Sequence, residues 1–237
     1  MELELYDTAE HALRGMTDRL VHELNLSGKP FHLALSGAGT ARRMYDLWVR
    51  EYREKINWEQ LYFYWVDERC VDPQDEESNF RYANELLFCF SGIPLSHIHR
   101  IHGECFPETE AERYAELVKR SVPVYAGLPS FDGVILGIGE DGHTASLFPD
   151  AMNLLTDERC YVVSQHPLSG QKRITMTGPL ILNSKMILIP VIGRKKNKIL
   201  QQILNSIQDE KYHLPAAYII AHAPQAVVFT DSQVRMK

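Results

Sequence analysis

A chain of 237 residues with 45% apolar and 24% charged side chains can bury a sizeable core as one domain. A formal charge of −6 argues against binding a nucleic acid through its phosphates, and the densest basic cluster, Arg194-Lys195-Lys196-Asn197-Lys198, is short. No apolar run nears the roughly 18 residues of a membrane helix, and the acidic start Met1-Glu2-Leu3-Glu4-Leu5-Tyr6-Asp7 lacks the basic-then-apolar order of a signal peptide.

In chain order, residues 7–26 open with Asp7 and Glu10 at capping-box spacing and continue with Leu13, Met16, Leu20, Val21 and Leu24 at helical spacing. Residues 31–35 read as a strand, Ala41 to about Tyr52 as a helix, and the aromatic run 61–66 as a second strand. A polar loop is expected over 67–77, a helix over 78–90, a short strand over 98–101 and a helix over 108–120. Residues 131–137 read as another strand. Residues 185–191 are apolar after the first, as suits a strand buried on both faces, and a helix from Arg194 to about Ile207 follows. Alternating strands and helices predict a single α/β domain over 1–237, a mostly parallel sheet with helices on both faces. The four cysteines are widely spaced with no Cys-x-x-Cys pair, which predicts reduced thiols in a cytoplasmic protein; Cys89, amid Leu86-Leu87-Phe88-Cys89-Phe90, reads as a packed core thiol.

Open α/β sheets bind ligands at the carboxyl ends of their strands, so the strand-end loops carry the chemistry. The first, Leu35-Ser36-Gly37-Ala38-Gly39-Thr40-Ala41-Arg42-Arg43, leads small residues into a helix, where backbone N–H groups and the helix dipole can face an anion. Ser36 and Thr40 offer hydroxyl donors and Arg42 or Arg43 a charge. The alternative is a plain strand-to-helix turn with Thr40 as the N-cap. The second, Val66-Asp67-Glu68-Arg69-Cys70-Val71 with Ser78-Asn79 downstream, sets two carboxylates beside an arginine; such clusters are more often structural than catalytic.

The third runs from Leu136 to Pro149 and contains Gly137-x-Gly139-x-x-Gly142, which formally matches a dinucleotide fingerprint. Glu140 and Asp141 would repel a pyrophosphate in that turn, and Pro149 leaves no room for the long helix the fingerprint requires. What remains is His143, two residues after Asp141 in a glycine-rich turn. An imidazole with an ordinary pKa of about 6.5 accepts a proton near neutrality. The segment His97-Ile98-His99-Arg100-Ile101-His102 alternates so that His97 and His99 share one strand face. Neither a cysteine nor an acidic residue is expected to complete a tetrahedral set there, although Glu104 can be recruited. Polar filling is the reading, with no metal site.

These loops, in this order, resemble the 6-phosphogluconolactonase family. Its SGGSTP-type loop corresponds to Ser36–Ala41, its W-x-DER-x-V segment with a following SN to Trp65–Val71 with Ser78-Asn79, and its G-x-G-x-DGHTASLFP signature to Gly137–Pro149. An R-x-T-x-T segment is matched by Arg173–Thr177 and a G-x-x-K helix start by Gly193–Lys196. The resemblance covers essentially the whole chain. It implies a Rossmann-like fold, no cofactor, and hydrolysis of 6-phosphoglucono-δ-lactone to 6-phosphogluconate, the second step of the oxidative pentose phosphate pathway. It implies His143 as the water-activating base with Asp141 orienting it, backbone N–H groups of the glycine turns as oxyanion donors, and substrate contacts from Ser36, Gly37, Thr40, Arg42, Asp67, Arg69, Gly142, Arg173 and Lys196. The implied partner is a small sugar-phosphate lactone, with the protein a monomer or weak homo-oligomer and neither nucleic acid nor membrane involved.

The first loop departs from the pattern: Ala38 replaces a glycine suited to positive φ, Gly39 removes a hydroxyl and Ala41 replaces a proline. Asp72 stands where the family usually has proline, just before Pro73. Two rivals share the resemblance. An amino-sugar-phosphate deaminase of the same superfamily would continue DGHIAFNEP, with glutamate at the position of Phe148, and would lack Arg69. A non-catalytic sugar-phosphate binder would not be expected to keep DGHTASLFP intact.

Overall fold

Short apolar runs become parallel strands and the amphipathic segments between them become helices. The computed structural model describes residues 1–232 and 234. In chain order the elements are β1 (Glu2–Leu5), α1 (Ala9–Ser27), β2 (Phe31–Leu35), α2 (Ala38–Glu51), β3 (Leu61–Trp65), β4 (Asp67–Arg69), α3 (Asn79–Ala83), α4 (Cys89–Ser91) and α5 (Pro107–Ser121). There follow β5 (Val124–Tyr125), β6 (Leu128–Pro129), β7 (Gly133–Ile135), β8 (Tyr161–Gln165), β9 (Lys172–Met176), α6 (Gly178–Leu182), β10 (Ile187–Val191), α7 (Asn197–Gln208), α8 (Pro215–His222) and β11 (Ala226–Thr230).

The main sheet has the order β1-β11-β10-β7-β2-β3, and all five pairings are parallel. β2, β10 and β11 are buried at every position, so both faces of the sheet are covered. One apolar cluster joins the layers, with Trp48, Phe63, Tyr64, Trp65, Phe131 and Phe229 wholly inaccessible. β2 leads by way of α2 to β3 on one side, whereas β7 is followed in the sheet by β10 and β11 on the other. The loops after β2 and β7 therefore diverge, and the crevice between them is where such sheets take ligands.

A second, antiparallel sheet of order β4-β9-β8 was not expected from sequence. β4 occupies the start of the predicted polar loop. Val66 joins the sheets: its N–H donates to Leu35 O at 2.9 Å and its carbonyl accepts from Met176 N at 2.7 Å. The register sets Asp67 opposite Thr175 and Arg69 opposite Arg173.

Several boundaries move for identifiable reasons. The N-cap of α1 is Thr8, whose hydroxyl accepts from His11 N at 3.1 Å, in place of Asp7. α2 begins at Ala38, so Thr40 lies inside the helix and is not its cap. A helical backbone at residue 38 has no need of positive φ, which accommodates alanine there. The helix over 79–91 carries a π-turn at Asn84–Phe88. That turn shifts the helix register, and Cys89 faces solvent, against the expected core thiol. Residues 98–101 form no strand, only a bridge between Ile98 and Phe63.

Candidate active site

The histidine loop is built on glycine because two side chains lie directly upon it. Gly139 N donates to His143 O at 2.8 Å and Gly142 N to Gly139 O at 3.1 Å, while Gly142 takes a left-handed φ of 86°. A Cβ on Gly139 would sit 2.2 Å from His143 Nδ1 and 2.4 Å from Asp141 Oδ1. Only a bare backbone admits both groups. The loop is pinned to the second sheet, where the Ser146 N–H donates to Thr175 Oγ1 at 3.1 Å, which gives the threonine of the R-x-T-x-T segment a physical role. Ala145 also holds a left-handed φ, 51°, uncommon for a residue with a Cβ and concentrated at functional turns.

Asp141 Oδ1 lies 2.6 Å from His143 Nδ1 and also accepts the His143 backbone N–H at 3.2 Å. The carboxylate thus both forms the turn and orients the ring. Burial works to raise the Asp141 carboxyl, but the hydrogen bond and charge of His143, together with backbone N–H donors, outweigh it and hold the pKa at about 2. An ionised Asp141 fixes the ring proton on Nδ1 and leaves Nε2 as the proton acceptor. The imidazole is a quarter exposed, at 25%, and packs 4.9 Å from the Phe148 ring.

Across the cleft stands the Arg69–Arg173 pair. Like charges on directly opposed strand positions oppose folding unless a counter-charge is supplied. Arg173 is 8% exposed; burial lowers its pKa and the neighbouring Arg69 charge lowers it further, with Asp67 acting the other way. Buried Asp67 is held by Ser146 Oγ at 2.6 Å, and that same hydroxyl is 3.5 Å from Arg173 Nη1. Arg69 donates to Glu77 O. The Nε atoms of both arginines are buried with no hydrogen-bond partner among the described residues. Two arginines therefore stand on opposed strand positions at this wall with unused Nε donors.

Glu68 does not pair with the Arg69 side chain. It accepts the backbone N–H groups of Arg69, Asn79 and Phe80, each at 2.8 Å, and the Ser78 hydroxyl at 3.1 Å. Burial pushes its pKa up to about 7 against those N–H donors. The DER segment is therefore split: Asp67 and Arg69 face the cleft while Glu68 anchors the start of α3.

These groups share a cavity of about 300 Å³ lined also by Ser36, Gly37, Asn79, Glu140, Ala145 and Lys196. Lys196 Nζ donates to Ile138 O at 2.7 Å, with its pKa lowered by burial against the pull of Glu140 and Asp141. A Cβ on Gly37 would sit 1.7 Å from Asn79 Oδ1, so the close passage of these two loops requires glycine there. Gly37 opens α2 with no capping side chain. Three predicted contacts do not line this cavity. Thr40 lies within α2, the Arg42 guanidinium stacks 3.2 Å above the Tyr82 ring, and Gly142 faces Leu214. The N–H groups of Gly139 and Gly142 are spent inside the turn, which removes them as free oxyanion donors. Asn79 and Ser146, which no local pattern assigns to the site, donate to Asp67 O at 2.9 Å and to Asp67 Oδ2 at 2.6 Å.

The histidine-rich segment lies elsewhere. His97 stacks on Tyr62 at 3.9 Å and His99 on Tyr64 at 4.7 Å. His102 has Glu104 and, contrary to expectation, Cys105 nearby, with one ligand atom from each within 4.8 Å of the others. Both Glu104 oxygens are held by Arg100 at 2.7 and 2.9 Å.

The family model described as glucosamine-6-phosphate isomerases/6-phosphogluconolactonase matches residues 6–229. The chain belongs to that family. A 6-phosphogluconolactonase of Haemophilus influenzae is 41% identical over 217 residues, covering 91% of this chain and 90% of that one. One from Treponema pallidum is 40% identical over 171 residues, covering 72% and 71%. Among solved structures, the devB protein superposes with a TM-score of 0.89 at 37% identity over 97% of this chain and 95% of its own. The 6-phosphogluconolactonase of Trypanosoma brucei shares the fold, with a TM-score of 0.82 at 22% identity over 97% and 95% of the two chains. Within the described residues of this family member, no helix is long and apolar enough to cross a membrane.

Proposed function

We propose that this chain hydrolyses 6-phosphoglucono-δ-lactone to 6-phosphogluconate, with His143 as the general base. The observation that carries the reading is the Asp141-bound imidazole sharing one cavity with the buried Arg69–Arg173 pair. A phosphate monoester brings roughly −1.5 to −2 charges, which offsets the like-charge cost of that pair. Arg69 and Arg173 take the phosphate, assisted by Lys196 and by the uncapped start of α2 at Ser36-Gly37. His143 Nε2 takes a proton as water oxygen bonds to C1, and the carbonyl becomes an oxyanion. As the C1–ring-oxygen bond breaks, the imidazolium returns the proton to the leaving oxygen. The new carboxylic acid then releases one proton to solvent. Asp141, ionised throughout, supports the imidazolium that forms between these steps.

Phe148 separates this reading from an amino-sugar deaminase, because a buried phenyl ring offers no carboxylate to the imidazole. The four cysteines are unpaired, which suits a reducing compartment such as the cytoplasm. The test is proton release from 6-phosphoglucono-δ-lactone against the spontaneous rate. Wild type accelerates release, and Arg173→Ala raises KM by about tenfold or more. A wild-type rate no faster than the spontaneous one contradicts the proposal.

A further inference from the structure

Phe148 is wholly buried, yet three donor groups surround its ring: His143 at 4.9 Å, His166 at 5.2 Å and the Arg173 guanidinium at 5.6 Å. His143 and Arg173 line the cavity already described; His166 does not itself line it and meets them across the Phe148 ring. His166 belongs to none of the segments that carry the family resemblance. It begins the turn between β8 and β9, the strand that carries Arg173, and that turn closes with His166 N donating to Gln171 O and Gly170 N donating to His166 O, each at 2.9 Å.

The ring's two nitrogens have different surroundings. Nδ1 lies 3.3 Å from Leu168 N and 3.2 Å from Ser169 N, both aimed at it, so it acts as an acceptor. A neutral imidazole then carries its single proton on Nε2. Burial, followed by the charges of Arg173 and His143, keeps the ring on the neutral side, with Asp141 opposing. No protein group among the described residues accepts from Nε2, and that atom is not sealed in the interior. The turn therefore fixes a tautomer whose one donor is uncommitted, on a ring sharing the Phe148 plate with the catalytic histidine and an anion-binding arginine.

We infer that His166 is a further substrate-binding residue, donating from Nε2 to the phosphate held by Arg69 and Arg173. This rests on the lactonase reading for the substrate's identity, but the contact requires only a phosphorylated sugar acid. It adds a donor to the anion without adding charge to an already crowded arginine pair.

The experiment compares His166→Ala, His166→Asn and His166→Gln in the full chain. Asparagine places an oxygen near the position of Nδ1 and lacks the distal donor; glutamine places an N–H near the position of Nε2 and loses the turn acceptor. The readouts are KM and kcat for 6-phosphoglucono-δ-lactone and for unphosphorylated glucono-δ-lactone, and 6-phosphogluconate affinity by calorimetry. The alanine and asparagine variants should lower the kcat/KM preference for the phosphorylated lactone by about tenfold, chiefly through KM, and weaken 6-phosphogluconate binding equally, with glutamine recovering part of both. The inference is overturned if asparagine matches wild type while glutamine matches alanine, which assigns the ring to the turn alone. Equal losses on both lactones overturn it too, because His166 would then act through the fold or through His143. If wild type hydrolyses neither lactone, the lactonase reading fails, while calorimetry with 6-phosphogluconate still decides the His166 contact.

Discussion

At the scale of single residues, the site depends on a missing side chain. Gly139 gives His143 and Asp141 the space to meet, and a methyl group there would overlap both. Gly139→Ala should keep the fold, because the atoms a Cβ would meet are side-chain ends of His143 and Asp141 and not backbone, yet lower kcat by roughly 10²-fold or more by displacing the imidazole. Unfolding temperature and kcat measured together check this; an unaltered kcat would mean that the ring is not held where the reaction needs it. Asp141 sets no acid limit near neutrality. Its carboxyl is held at about 2, below the ordinary 3.8, so the stability from its pairing is present above the ordinary value and lost only as pH falls through about 2. The His143–Asp141 contact was legible from sequence because a glycine-rich turn beside a carboxylate is a local pattern. The surroundings of His166 were not, since Phe148 and Arg173 reach it from elsewhere in the chain.

At the scale of elements, β4 shows where local pattern runs out. Asp67-Glu68-Arg69 is short and polar and reads as loop. It becomes a strand only because β9, about a hundred residues later, supplies its partner. That pairing sets the two arginines opposite each other; the resemblance named Arg69 and Arg173 singly, but their juxtaposition is a long-range feature that no local pattern shows. By contrast β2, β3 and β10 were legible as apolar runs. The edge of the main sheet carries a separate pH sensitivity. His32 lies 3.1 Å from the Tyr64 hydroxyl, and His99 stacks on Tyr64 beside His97. Burial lowers the pKa of both His32 and His99 below 6.5; the positive charges of Lys185 for His32, and of the neighbouring histidines for His99, act the same way, and Asp132 opposes at His32. The unfolded chain takes up these protons as pH falls through 6.5 and the folded chain resists, so stability is full above that value and declines below it. As pH falls below about 6.5 the unfolding temperature should fall, and His99→Gln should make that fall shallower. Parallel slopes for variant and wild type would exclude His99 as a source.

At the scale of the whole molecule, an acidic protein has gathered its cations locally. The net charge is −6, yet Arg69, Arg173 and Lys196 converge on one crevice at the switch point of the sheet, next to the histidine loop. The topology accounts for the convergence: the loops after β2 and β7 part to open the crevice, and the second sheet brings β4 and β9 to its wall. Composition argued against a nucleic-acid partner, and the alternation of strands and helices foretold the sheet; how the second sheet attaches was left to long-range contacts. The account depends on His143 accepting a proton from water beside an anchored ester. The most direct measurement is kcat of His143→Ala on 6-phosphoglucono-δ-lactone, with spontaneous hydrolysis subtracted and folding verified by circular dichroism. A fall of roughly 10²–10⁴-fold in a folded protein that still binds 6-phosphogluconate is the predicted result; a folded variant with wild-type turnover would contradict it.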